Sequence, residues 1–191
     1  GCAIVVRFRP TSGRGQKQAS VSASGTPGGA ASATLTGVAL ANAQLTESEG
    51  PHHFGIEPVG GVSGSHEFLV SNVGDVPSGP ITVTLGGANP DQFAIESGGC
   101  ATPVAGESGC SVFVTFRPTR YGPASATVQV TSTPGGAVGF AVSGTGEEFL
   151  ALTVTTPLDG GGSGSVSGAG LSCPSGACQV FVSRTTMNPS V

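Results

Sequence analysis

A chain of 191 residues with 33 Gly, 14 Pro, one Tyr, no Trp and only 9% charged residues has little capacity for helix, because Gly and Pro are costly in helix interiors. Seven Lys and Arg against eleven Asp and Glu, a net charge of -4, argue against a nucleic-acid or anionic-lipid partner. No apolar run reaches the roughly 18 residues of a membrane span and no basic-then-apolar leader opens the chain, so export and anchoring signals are expected outside it.

Apolar residues make up 37% of the chain and fall in short alternating runs, which disordered segments lack. An all-β protein is expected. The chain opens with GCAIVVRFRPT, in which Cys2, Ile4, Val6 and Phe8 share one face of a strand. Ala19, Val21 and Ala23 mark a second strand, TPGGA at 26–30 a turn, and Ala31, Ala33 and Leu35 a third strand that ends at Gly37. Seven further strands are predicted, around 39–45, 54–59, 65–72, 81–85, 110–116, 124–131 and 137–144. The stretch 91–95 reads either as a turn plus a short strand or as one helical turn.

The opening recurs. GCSVFVTFRPT at 109–119 matches 1–11 at 7 of 11 positions, Cys110 following Cys2 by 108 residues, and the TPGGA turn returns at 133–137, 107 residues after the first. The one-residue difference lies in a turn, where TSGRG stands for TRYG. Three strands and their connections are thus repeated, the sign of a tandem module of about 107 residues. Only one copy has all seven strands, and Gly/Pro turns between short strands point to an immunoglobulin-like β-sandwich, with a closed barrel as the structural rival. The expected organisation is the C-terminal part of one module at 1–38, a complete module at 39–148, and a different, glycine-rich unit at 149–191. The chain is accordingly expected to begin and end inside modules.

FLVSNVGDVPSGPITVTL, then DQFAIESGGC, then GCSVFVTFRPTRYGPASATVQVTS and a closing VSGTG resemble the bacterial choice-of-anchor D modules, immunoglobulin-like repeats related to the abnormal-spindle and hydin type. The motif positions are Asn72 and Gly74 in an N-x-G turn, Phe93, Ile95 and Cys100, and then Cys110, Val112, Val114, Phe116 and Pro118. The resemblance covers roughly 39–148 and, in part, 1–37. It implies immunoglobulin-like β-sandwich repeats in tandem, serving as spacer or binding scaffold in large exported proteins. The tail, GSGSVSGAGLSCPSGACQVFV, is similar to internalin-like glycine-rich bacterial repeats, and that similarity implies a paired Cys173 and Cys178.

Cys100 and Cys110 stand ten residues apart, and a loop that short can be closed by a disulfide. Two Cys with no further Cys or His nearby cannot complete a tetrahedral zinc site. A disulfide, which persists in oxidising compartments, is preferred over free thiols. Cys2 matches Cys110, and its expected partner would lie about ten residues before Gly1, so Cys2 is expected to be unpaired; the other reading of the opening Gly-Cys is a lipoprotein cleavage site.

The remaining chemistry has plainer explanations. His52, His53 and His66 would form a metal site only by converging with Glu47, Glu49 or Glu67, and neighbouring strand residues point to opposite faces; solvent-facing histidines are expected. Asp159 with GGGSGS has too few carboxylates for calcium and no Lys or helix for phosphate. GVSGS at 61–65 lacks the strand-to-helix setting of a nucleophile elbow. Glu147 and Glu148 read as a solvated junction, and Arg9 and Arg117 as donors to turn carbonyls. No catalytic, metal or cofactor-binding residue is assigned. The function expected is a non-catalytic structural or interaction module of a large secreted or cell-surface bacterial protein, meeting neighbouring repeats and a protein or glycan. A carbohydrate-binding accessory of an exported enzyme would want a Trp or Tyr platform. An intracellular ciliary or centrosomal scaffold would want reduced thiols.

Overall fold

The computed structural model describes residues 3–11, 13–96, 99–154, 166–168, 171–173 and 178–183, with the backbone alone from residue 150 onward. The chain is nearly all β. An antiparallel hairpin of β1 (Gly15–Gly25) and β2 (Gly29–Ala39) comes first. The following strands are β3 (Leu45–Glu47), β4 (His52–Pro58), β5 (His66–Asn72), β6 (Ile81–Gly86), β7 (Phe93–Ile95), β8 (Ser108–Phe116), β9 (Gly122–Ser132) and β10 (Gly136–Glu147). They form two four-stranded sheets, ordered β4-β10-β9-β6 and β3-β5-β8-β7. All neighbours are antiparallel except β4 and β10, which run parallel.

The alternation predicted from the sequence is what closes the two sheets on each other. Phe68 and Val70 of β5 and Val112, Val114 and Phe116 of β8 face Ala124, Ala126, Val128 and Val130 of β9 and Phe140 and Val142 of β10 in one buried cluster. Apolar side chains on every second residue put one face of each strand into that cluster and leave the other to water. Phe68 meets Phe140 at 4.6 Å between ring centroids, and Phe116 meets Phe93 at 5.0 Å. The arrangement is immunoglobulin-like. At 90–95 both readings of the sequence are realised in succession, a single 3-10 turn at Pro90–Gln92 and then β7.

Two predicted strands are corrected. Within 39–45 only Ala39, which ends β2, and Leu45, which opens β3, lie in strands, and between them side chains take backbone N–H groups that a ladder would use. Ala41 N–H donates to Asp75 Oδ2 at 2.6 Å, and Gln44 N–H donates to Asn72 Oδ1 at 3.0 Å. The segment 3–11 is not a strand at all, although its repeat counterpart is the end of β8. β8 is paired on both edges, with β5 and with β7, and among the described residues 3–11 has no such neighbours. Alternation selects a face; it does not supply a partner strand.

The tail holds β11 (Phe149–Val154), β12 (Val166–Gly168), β13 (Leu171–Cys173) and β14 (Cys178–Ser183). β11 pairs with β14 and β12 with β13, both antiparallel. The side chains of Cys173 and Cys178, Asp159, and Cys2 at the other end, lie outside the described residues.

Candidate interaction surface

Several motif residues of the sequence hold the loops of the sandwich in place. Asn72, 1% exposed, closes β5. Its Oδ1 accepts the N–H groups of Gln44 and Gly74, and its Nδ2 donates to the carbonyls of Val76, Val104 and Ala105. One amide thereby satisfies three loops, which explains an Asn where a core strand would otherwise end in an aliphatic residue. Gly74 follows because a Cβ there would run into the Asn42 carbonyl.

Cys100 and Cys110 are disulfide-bonded, with Cα atoms 5.1 Å apart. The bond ties the loop after β7 to β8. Gly99, at φ +57, admits the close approach, since a Cβ would strike the Ser111 carbonyl. Ser63 is also structural: its Oγ accepts the Phe116 N–H and donates to the Gly64 carbonyl, both at 2.9 Å.

The histidines need correcting. His53 is exposed and lies 3.0 Å from Ser143 Oγ through Nδ1, as a solvent-facing residue should. His52 and His66, from different sheets, instead stack on each other at 3.5 Å with their planes 12° apart, half-buried over Phe68 and Phe54. Glu49 Oε2 lies 3.2 Å from His66 Nε2. Among the described residues no group of three His, Cys, Asp or Glu is placed to hold a metal ion. His52 has a pKa below its ordinary 6.5, first because burial disfavours the cation and then because His66 and His53 are near; Glu49 opposes this. The neutral form is favoured on folding, so the contribution is full above 6.5 and is lost as pH falls below it. Chemical denaturation between pH 8 and pH 5 should show stability declining on the acid side, and His52→Gln should flatten that slope; an unchanged slope would show that other groups set it.

Glu147 and Arg117 also differ from expectation. Glu147 is 5% exposed because β10 runs on beside β4, pairing Glu147 with Pro58. Arg117 makes its side-chain bonds to Glu96 Oε1 at 2.8 Å and Thr115 Oγ1 at 3.2 Å rather than to a turn carbonyl. Glu96 is held below the ordinary carboxylate range by the Thr115 hydroxyl first and the Arg117 guanidinium second, against a small effect of burial.

The surface that stands apart is the N-terminal unit. Its hairpin repeats the β9–β10 hairpin: Gly15 pairs with Ala39 as Gly122 pairs with Gly146, and Gly25 with Gly29 as Ser132 with Gly136. In β9–β10 the apolar face is buried, whereas Ala19, Ala23, Ala31 and Ala33 of the first hairpin are exposed. Ile4, Val6, Phe8 and Leu40 are each more than half exposed. The unit is also cationic. Arg7, Arg9, Arg14 and Lys17 are four of the seven basic residues, and the first acid in the chain is Glu47. This asymmetry is written in the sequence and is hidden by a net charge of -4. Arg14 bridges to the sandwich, 2.6 Å from Glu107 and 3.3 Å from Asp75. Exposed apolar side chains and like charges thus lie together on this unit.

No protein-family model matches the chain, and no curated protein matches it. Among solved structures it is similar to an ASH/PapD-like domain of human CEP192, at 14% identity and a TM-score of 0.44, over 56% of this chain and 87% of that one. It is similar to a Porphyromonas gingivalis W83 protein of unknown function at 11% identity and a TM-score of 0.44, over 72% and 68%. The secreted serine protease VesC of Vibrio cholerae matches at 18% identity and a TM-score of 0.41, over 56% of this chain, which spans 24% of the protease. No helix among the described residues is long and apolar enough to cross a membrane.

Proposed function

We propose that the chain is a non-catalytic structural and interaction segment of a large secreted or cell-surface bacterial protein, built from immunoglobulin-like modules in tandem. The observation that carries this reading is the hairpin pairing register, which recurs 107 residues apart. Two copies of one structural unit in a single chain suit a spacer or scaffold that grows by repetition. The Cys100–Cys110 bond supports an oxidising location, and the paucity of Trp and Tyr leaves no aromatic platform for sugar stacking. Its partners are neighbouring repeats and a protein or glycan outside the cell.

Peptide mapping under non-reducing conditions, on protein secreted into an oxidising compartment, tests the reading. Cys100 should be recovered linked to Cys110, and reduction should lower stability by about 2–3 kcal/mol, the chain-entropy value for so short a loop. Free thiols at both positions would overturn the extracellular assignment.

A further inference from the structure

The loop after β5 that Asn72 holds in place is also where the first hairpin meets the sandwich. Gly15 pairs with Ala39, so Arg14 and Leu40 leave the base of that hairpin side by side. From Leu40 onward the chain is held at once. The Ala41 N–H donates to Asp75 Oδ2 at 2.6 Å, and the Asp75 N–H donates back to the Ala41 carbonyl at 3.1 Å. The Gln44 carbonyl accepts the Val73 N–H at 3.0 Å. The other oxygen of Asp75 lies 3.3 Å from the Arg14 guanidinium, which donates to Glu107 Oε1 at 2.6 Å. Asp75 therefore grips both strand ends at the hairpin base, one through the backbone and the other through a side chain.

Three observations give this contact a role. Glu107 is the one non-glycine residue with positive φ among the described residues, at +56. A carboxylate is thus kept where the backbone favours glycine, and its own N–H is tied to the Gly74 carbonyl at 3.0 Å. Val38 and Leu40 at the hairpin base are more than half exposed, so apolar packing does little to seat the hairpin. In the second copy of the hairpin Gly122 stands for Gly15, which puts Tyr121 in the place of Arg14. The nearby Arg120 is turned to Asp91 of its own sandwich, at 2.7 Å.

We propose that Asp75 and Glu107 form a docking site for the repeat unit in front, which accepts a guanidinium at the base of that unit's last hairpin and fixes the direction in which the hairpin leaves the sandwich. The proposal rests on the repeat reading above. An exposed ion pair is weak by itself. Here it acts on a connection, 40–44, already restrained by backbone bonds, so a small energy is enough to select one direction among the few left open. Two carboxylates select a cation and offer nothing to a tyrosine in its place. A unit of the first kind therefore docks in front of this sandwich, and a second copy of the sandwich itself, with Tyr121 at that position, does not dock in the same way.

The test uses the full chain with spin labels at Ser22 and Thr84, both exposed, attached through a keto amino acid so that the native cysteines are left alone. At low salt the parent should show one narrow distance distribution. Arg14→Tyr, which writes the second copy's residue into the first, should lower the population at that distance about fivefold. Glu107→Gln together with Asp75→Asn, which keeps an oxygen for the Ala41 N–H, should do the same. Arg14→Lys should restore most of the docked population, and added salt should broaden the parent more than it broadens Arg14→Tyr. Urea unfolding of Arg14→Tyr should match the parent's, so that docking is lost by a folded chain. A broad distribution in the parent would overturn the proposal. So would a narrow one that neither Arg14→Tyr nor the carboxylate variant moves, which would assign the direction to the backbone bonds of 40–44 alone. None of these variants touches a cysteine, so the disulfide map tests the extracellular reading separately.

Discussion

Asn72→Ala is expected to lower the stability of the complete module by about 3–5 kcal/mol, although it removes no hydrophobic contact of the core. Five hydrogen bonds end on that one amide, and each buried group left unpaired costs about 1–3 kcal/mol, less where water can enter. Urea unfolding of the variant measures the loss. A value under about 1 kcal/mol would mean that the loops around Val76 and Val104 hold themselves together. Asn72→Asp separates shape from hydrogen bonding. It keeps the acceptor for Gln44 and Gly74 but turns an acceptor toward three carbonyls. The new carboxyl would be favoured protonated in the folded state, its folded pKa lying above its unfolded one. The protonated carboxyl has one O–H where the amide has two N–H donors, so the penalty relative to the parent should be smallest at low pH and grow as pH rises through the ordinary carboxylate range.

The second large effect compares two phenylalanines that occupy the same place in the repeat. Phe116 is fully buried, with Phe93 at 5.0 Å and Phe54 at 6.3 Å. Phe116→Ala should cost about 3–5 kcal/mol, the usual loss when an aromatic core residue leaves a cavity. Phe8 is 52% exposed, so Phe8→Ala should cost less than about 1 kcal/mol. Equal losses would mean that the N-terminal unit has a packed core of its own.

That contrast also shows how far the sequence could be read. The strands of the complete module were legible in β8, β9 and β10 because one-sided burial writes itself as alternation. The same alternation in 3–11 reported a face and could not report whether a neighbouring strand existed. The strand expected at 40–44 is absent because the side chains of Asn72 and Asp75, far away in sequence, compete for its backbone N–H groups. His52 and His66 lie on strands of different sheets, and their stacking follows from how the sheets close, which no local pattern encodes. Glu147 looked like linker because its burial depends on the parallel pairing of β10 with β4. The pairing of Arg117 with Glu96 has no local sequence signal, because their proximity follows only from the β7–β8 register.

The parallel pairing of β4 with β10 has a mechanical consequence. β4 lies early in the module and β10 closes it, so a pull on the two ends of the chain draws these strands past each other along their length. Their hydrogen bonds are then loaded in shear, together, and must yield as a group. The β1–β2 hairpin, whose strands begin and end on the same side, would unzip one bond at a time under the same load. A chain under tension would thus give way first in its N-terminal hairpin, leaving the disulfide-tied module as the part that holds.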